Sequence, residues 1–150
     1  MISKIAGLGA GVLDRLFKFS GRSSRLAFWR VQLICSALIG LVWILGLAAS
    51  LVVGPWSAPL FLPILLLLIP LVAVGVRRVH DRGRDWRWLV LLALGPYLLA
   101  MWASLSPPLV GVVLMLAATL LNLWGWVELG LLKGDPGPNA YGPPPRLDAL

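Results

Sequence analysis

The chain has 150 residues, 59% of them hydrophobic, and 13 basic against 6 acidic side chains give a formal charge of +7. A soluble domain of this size leaves too much surface exposed to hide such an apolar excess. Composition therefore excludes a soluble enzyme, a disordered chain and a free nucleic-acid-binding module, and it points to one membrane domain.

Residues 1–25 form the first unit. At 100° per residue, Ile2, Ile5, Leu8, Val12, Leu16 and Phe19 share one face, and Lys4, Asp14, Arg15 and Lys18 share the other. That pattern predicts an amphipathic helix lying in the membrane interface. Asp14, Arg15 and Lys18 interrupt its apolar stretch, so it does not read as a signal peptide.

Residues 26–133 form the second unit. Residues 31–76 and 88–127 contain no Asp, Glu, Lys or Arg. Each block exceeds the ~20 helical residues that cross a hydrocarbon core, so each must turn back once. The first breaks at Gly54-Pro55-Trp56-Ser57-Ala58-Pro59 and the second at Ser104-Leu105-Ser106-Pro107-Pro108, because proline and glycine end helices and permit tight turns. The expectation is an all-α protein with four transmembrane helices, Val31–Val53, Ala58–Val76, Trp86–Ala103 and Leu109–Leu132. The two outer turns carry no charge, whereas the basic residues fall before the first span, in the 77–87 loop and after the last span. Lys and Arg mark the cytoplasmic side, so both termini and the 77–87 loop are expected there. The same rule accounts for the basic residues without nucleic acid. Small residues recur on span one at Gly46, Ser50 and Gly54 and at Ser36 and Gly40, a face suited to a neighbouring helix or a second copy of the chain. Cys35, the single cysteine, sits within that span as a small packing residue.

Residues 134–150 form a tail with five prolines and three glycines, which excludes a helix. We expect Gly137–Gly142 to dock on the central loop, with Tyr141 filling an interfacial slot.

Three polar clusters converge on the basic side: Phe19-Ser20-Gly21-Arg22-Ser23-Ser24-Arg25 with Phe28-Trp29, the stretch from Arg77 to Trp86, and Gly134 to Pro143. One reading makes them structural, with Asp81, Glu128, Asn139 and Tyr141 knitting loops together and Glu128 paired to Arg77 or Arg78. The sharper reading is an anion site in which Arg22, Arg25, Arg77 and Arg78 hold phosphate and His80 adds a bond. Asn122, deeper in span four, is expected to bond across helices. A lone histidine beside Asp81 is too few ligands for a metal site, and neither a phosphate loop nor a His-Glu-x-x-His motif occurs; no cofactor is called for.

The ordered combination Gly21-Arg22-x-x-Arg25 with Phe28-Trp29, then Arg77-Arg78-x-His80-Asp81-x-Gly83, then Gly137-Pro138-Asn139-x-Tyr141-Gly142 resembles the family catalogued as domain of unknown function 805. The likeness runs from about Phe17 to Pro145. It departs at Asp85, where Ser-Gly is expected before Trp86, and at Pro143-Pro144-Pro145, where an acidic residue before proline is common. The resemblance implies a four-span protein of the bacterial inner membrane and assigns no activity. The reading we carry forward is a non-enzymatic membrane protein whose Arg/His/Asp surface binds anionic lipid headgroups or a partner protein. Its competitors are a subunit of a small oligomeric transporter or channel, and an interfacial enzyme acting on lipid headgroups through His80.

Overall fold

The computed structural model describes residues 16–145, whose regular elements are all helical, with no strand among them. The amphipathic helix read from Ile2 to Phe19 lies, up to residue 15, outside the described residues; Leu16 and Phe17 are helical, and residues 18–24 are not.

Helix α1 runs Arg25–Val53. It starts six residues before the apolar block because Ser24 caps it, its Oγ accepting the Ala27 N–H at 3.2 Å. At 29 residues it is roughly 43 Å long, which leaves its arginine-bearing first turns outside a hydrocarbon core of ~30 Å. Gly54, at φ 60°, breaks it. Gly54–Phe61 then winds in tight 3₁₀ turns, so α2 begins at Leu62, later than expected, and continues through Asp81. The Arg77–Asp81 stretch is thus helix, not loop. Helix α3 spans Arg87–Ser104 and α4 spans Pro108–Trp126. The last turns, Val127–Leu131, widen to an i→i+5 pattern in which the Leu132 N–H donates to Val127 O at 3.0 Å.

Three helical stretches are long and apolar enough to cross a membrane: Arg25–Asp81, Arg87–Ser104 and Pro108–Leu131. The first, 57 residues long, is folded back on itself. The Ser23 N–H donates to Arg77 O at 3.1 Å, and Gly46, at the far end of α1, lies under the Phe61 ring. α1 and α2 are therefore antiparallel. α3 and α4 form a second antiparallel pair, with Gly125 against Leu92 and Gly111 against the Ala103 carbonyl.

The two pairs join at one end. There Gly75 receives Leu89, Trp29 stacks on Trp126 with centroids 5.7 Å apart, and Phe28, Val31, Cys35, Val74, Val79, Leu92 and Leu129 form the core. Beside this junction lies a crevice of roughly 310 Å³ lined by all four helices, with Gln32, Tyr97 and Asn122 among its walls. Elsewhere the surface is inverted relative to a soluble protein: Leu51, Trp56, Leu105 and Leu109 are at least 80% exposed, whereas the largest fully buried side chains are Arg78 and Glu128.

The α1–α2 pairing yields a contrast. A Cβ at Gly46 would come within 2.6 Å of the Phe61 ring, whereas one at Gly40 would meet nothing within 4 Å. Gly46→Ala is expected to lower stability by about 1–3 kcal/mol through overpacking. Gly40→Ala leaves it level or raises it by up to ~1 kcal/mol through helix propensity. Thermal midpoints in one detergent compare the two, and equal shifts would contradict the pairing.

Candidate functional site

The polar clusters meet at the junction end, and the helical continuation of α2 is what brings them together. Residues three apart share a helix face, so Arg78 and Asp81 form an ion pair within α2. Asp81 takes a second cation from the segment preceding α1: its Oδ1 accepts from Arg22 Nε at 2.9 Å and lies 2.8 Å from Arg22 Nη2. All three side chains are nearly inaccessible, at 0–4% exposure.

Charges so desolvated need every remaining donor satisfied, and here backbone carbonyls satisfy them. Arg22 Nη1 donates to Gly137 O at 2.6 Å and Gly142 O at 3.3 Å, and Nη2 donates to Asp135 O at 2.5 Å. Arg78 donates to Leu129 O at 2.7 Å and to Leu132 O. The carbonyls at 129–132 belong to the end of a helix, where acceptors outnumber helical donors. Arg78 thus closes the C-terminus of the α4 stretch while neutralising Asp81, and the sign of its charge suits that helix end.

A second ion cluster surrounds Glu128, which is 1% exposed. The expected partners were Arg77 and Arg78, and neither is used. Arg78 is committed to Asp81 and the carbonyls, and Arg77 Nε donates to Ala73 O on its own helix at 3.3 Å. Glu128 Oε1 instead accepts from Arg82 Nε at 3.1 Å, with Arg84 Nε at 3.5 Å. Arg82 Nη1 also donates to Lys133 O at 2.5 Å, and Arg84 lies 4.2 Å over the Trp88 ring.

The tail folds over this end. The Asp135 N–H donates to Asp81 O at 2.8 Å, and Asn139 Nδ2 donates to His80 O at 2.9 Å and Asp135 Oδ2 at 3.0 Å. The Tyr141 ring stacks flat on His80, with centroids 3.9 Å apart and planes 4° from parallel. His80 Nδ1 faces Gly21 O at 3.2 Å. Two glycines are required by this path: a Cβ at Gly134 would run into the Asp81 carboxylate, and Gly142 adopts φ 122° as it exchanges hydrogen bonds with Asn139.

Of the five residues proposed from sequence for an anion, Arg22 and Arg78 have their donors engaged by protein acceptors, Arg77 turns back to Ala73 O, and His80 lies between Tyr141 and the Gly21 carbonyl. Arg25 is exposed and gives one bond, to Leu131 O at 3.0 Å. Sequence reasoning passed over Arg82, Arg84 and Asp135, although each lies in a polar cluster it had marked. Asn122 lines the crevice between the helix pairs. Among the described residues no three His, Cys, Asp or Glu side chains stand close enough to hold a metal ion. A cavity of roughly 530 Å³ opens beside the ion cluster, between the start of α1 and Gly130–Asp135.

Residues 16–143 match the family described as "Protein of unknown function (DUF805)". The uncharacterized protein YiiR of Escherichia coli K12 is 34% identical over 128 residues, covering 85% of this chain and 85% of its own length. The inner membrane protein YhaI of the same organism is 31% identical over 80 residues, covering 53% of this chain and 65% of its own length. No solved structure matches.

Removing the charge at the centre of the cluster has a defined consequence. Asp81→Asn leaves Arg22 and Arg78 buried without a counter-ion, a loss of about 3–5 kcal/mol. Arg78→Lys gives up the fork that reaches two carbonyls and a carboxylate at once. Both variants are expected to lose their monodisperse peak in detergent at markedly lower temperature than Arg30→Gln, and parity among the three would disprove the arrangement.

Proposed function

The chain belongs to the domain-of-unknown-function 805 family, and from that premise we propose a non-enzymatic inner-membrane protein of four crossings whose basic cytoplasmic face holds anionic lipid headgroups. The relative named as an inner membrane protein and the three apolar helical stretches support the membrane. Four crossings follow from reading the Arg25–Asp81 stretch as two, since α1 and α2 lie antiparallel.

The observation that carries the orientation is the sidedness of charge. Every lysine and arginine among the described residues belongs to the junction end or to the turns next to it, and the distal turns, Gly54–Phe61 and Ser104–Pro107, carry none. Translocation of cationic segments is disfavoured, which puts the junction end, both termini and the central loop in the cytoplasm. There the exposed cations meet an anionic leaflet, each contributing ~1 kcal/mol of attraction near the surface. Because Arg22 and Arg78 are consumed internally, this role falls to the cations left outside the ion clusters, Arg25 foremost.

A phosphatase reporter that works only outside the membrane checks the orientation. Joined after Leu150 or inserted at Arg84 it is expected to be silent, and inserted between Pro55 and Pro59 it is expected to be active. The reverse pattern would refute the orientation, and activity at all three sites the crossing count.

A further inference from the structure

The cavity beside the ion cluster has an uneven chemistry. Its floor is Arg78 and Asp81, both already neutralised within the cluster. Its walls carry Arg25 on α1 and Lys133 on the chain leaving α4, and its membrane-side lip is Leu26 and Trp29. Arg25 spends one donor on Leu131 O, and Lys133 pairs with no carboxylate among the described residues. The other carboxylate on the lining, Asp135, has Oδ2 occupied by Asn139. Two cations therefore face the cavity against one half-engaged acid.

Three further features bias the cavity toward an anion. The first backbone N–H groups of α1, on Arg25 and Leu26, precede any helical acceptor and sit at the positive end of the helix dipole. Ser24, on the lining, uses its Oγ lone pair for the Ala27 N–H and keeps its own O–H to donate. The lip is fixed: Trp29 Nε1 donates to Gly130 O at 3.1 Å while the ring stacks on Trp126, and half-exposed Leu26 lies beside it. Cationic walls open to water joined to an apolar lip at the membrane match a phosphodiester whose two ends differ in polarity.

We propose that this cavity binds the phosphodiester of an anionic phospholipid, its phosphate oxygens between Arg25 and Lys133 and its glycerol end over Leu26 and Trp29. The inference rests on the orientation and lipid reading given above and narrows it to one site. Inorganic phosphate presents the same oxygens without the apolar end, so the two sources separate by experiment.

The full-length protein is reconstituted in phosphatidylcholine containing a minority of phosphatidylglycerol, extracted in mild detergent, and its retained lipids counted by native mass spectrometry. The wild type is expected to retain phosphatidylglycerol in preference to phosphatidylcholine. Arg25→Gln/Lys133→Gln is expected to cut that retention about tenfold, the loss of a charge-assisted bond, with at most a small drop in thermal midpoint because both side chains are exposed and Arg25 gives up only its bond to Leu131 O. Arg30→Gln/Arg87→Gln removes equal charge outside the cavity and is expected to reduce retention by no more than about twofold. Equal reduction by both pairs overturns the cavity and leaves the lipid-binding face standing. Absence of any phosphatidylglycerol preference in the wild type overturns both. Displacement of the retained lipid by millimolar inorganic phosphate would overturn the role of the apolar lip, and its persistence supports the lipid as the ligand.

Discussion

The structure turns on a carboxylate held almost entirely out of water. Asp81 sits between Arg22 and Arg78 with all three side chains almost fully buried, and a desolvated group of this kind is favourable only when its outer donors are also filled. Filling them requires carbonyls from far along the chain: Leu129 and Leu132 at the end of the α4 stretch, Asp135, Gly137 and Gly142 in the tail. One ionic requirement therefore gathers the segment before α1, the end of α2, the end of α4 and the tail into a single place. It explains why a proline- and glycine-rich tail has a defined path, since its backbone oxygens are the ligands of an arginine.

This placement complements the membrane. Helix pairs in lipid gain little from hydrophobic contact, because the solvent is itself apolar. α1 with α2, and α3 with α4, are held instead by close approach at glycines and by short connections, while leucines and tryptophans stay on the outside. The core of the molecule accordingly collects at the junction end, where Phe28, Val74, Val79, Leu92 and Leu129 pack beneath the ion cluster. Stabilising polar contacts concentrate where water and lipid meet, and beside that end the pairs share a crevice rather than a filled interior.

Much of this was legible in the sequence because it follows from solvation. The charge-free blocks gave the helices, the Gly-Pro and Ser-Pro breaks gave the turns, and the spacing of three polar clusters anticipated that they meet and that the tail docks on the central polar stretch. What escaped was which partner each charge takes. Apolar periodicity ends before Arg77, so sequence put Arg77–Asp81 in a loop, and the i,i+3 pairing of Arg78 with Asp81 appears only once those residues are helical. The same shift changes the partners of Glu128: Arg78 turns toward the α4 carbonyls and Arg77 back along its helix, so Arg82 and Arg84 from the true loop reach the carboxylate. Backbone carbonyls, which have no letter in a sequence, decided whether each arginine was free or spent.

That division between spent and free arginines also determines what the surface offers a ligand. Arg22 and Arg78 match the family's first two motifs, yet their donors point inward, and their contribution to any ligand is to hold others in place. Gly134 is admitted beside Asp81 only because it lacks a side chain, and the Asp135 N–H is tied to Asp81 O; Lys133, the residue just before them, is therefore set on the cavity wall by the ion cluster itself. Arg25 is placed from the opposite side by the Ser24 cap and by Leu131 O. A buried cluster thus sets the backbone positions of two exposed cations, on which the proposed anion site depends.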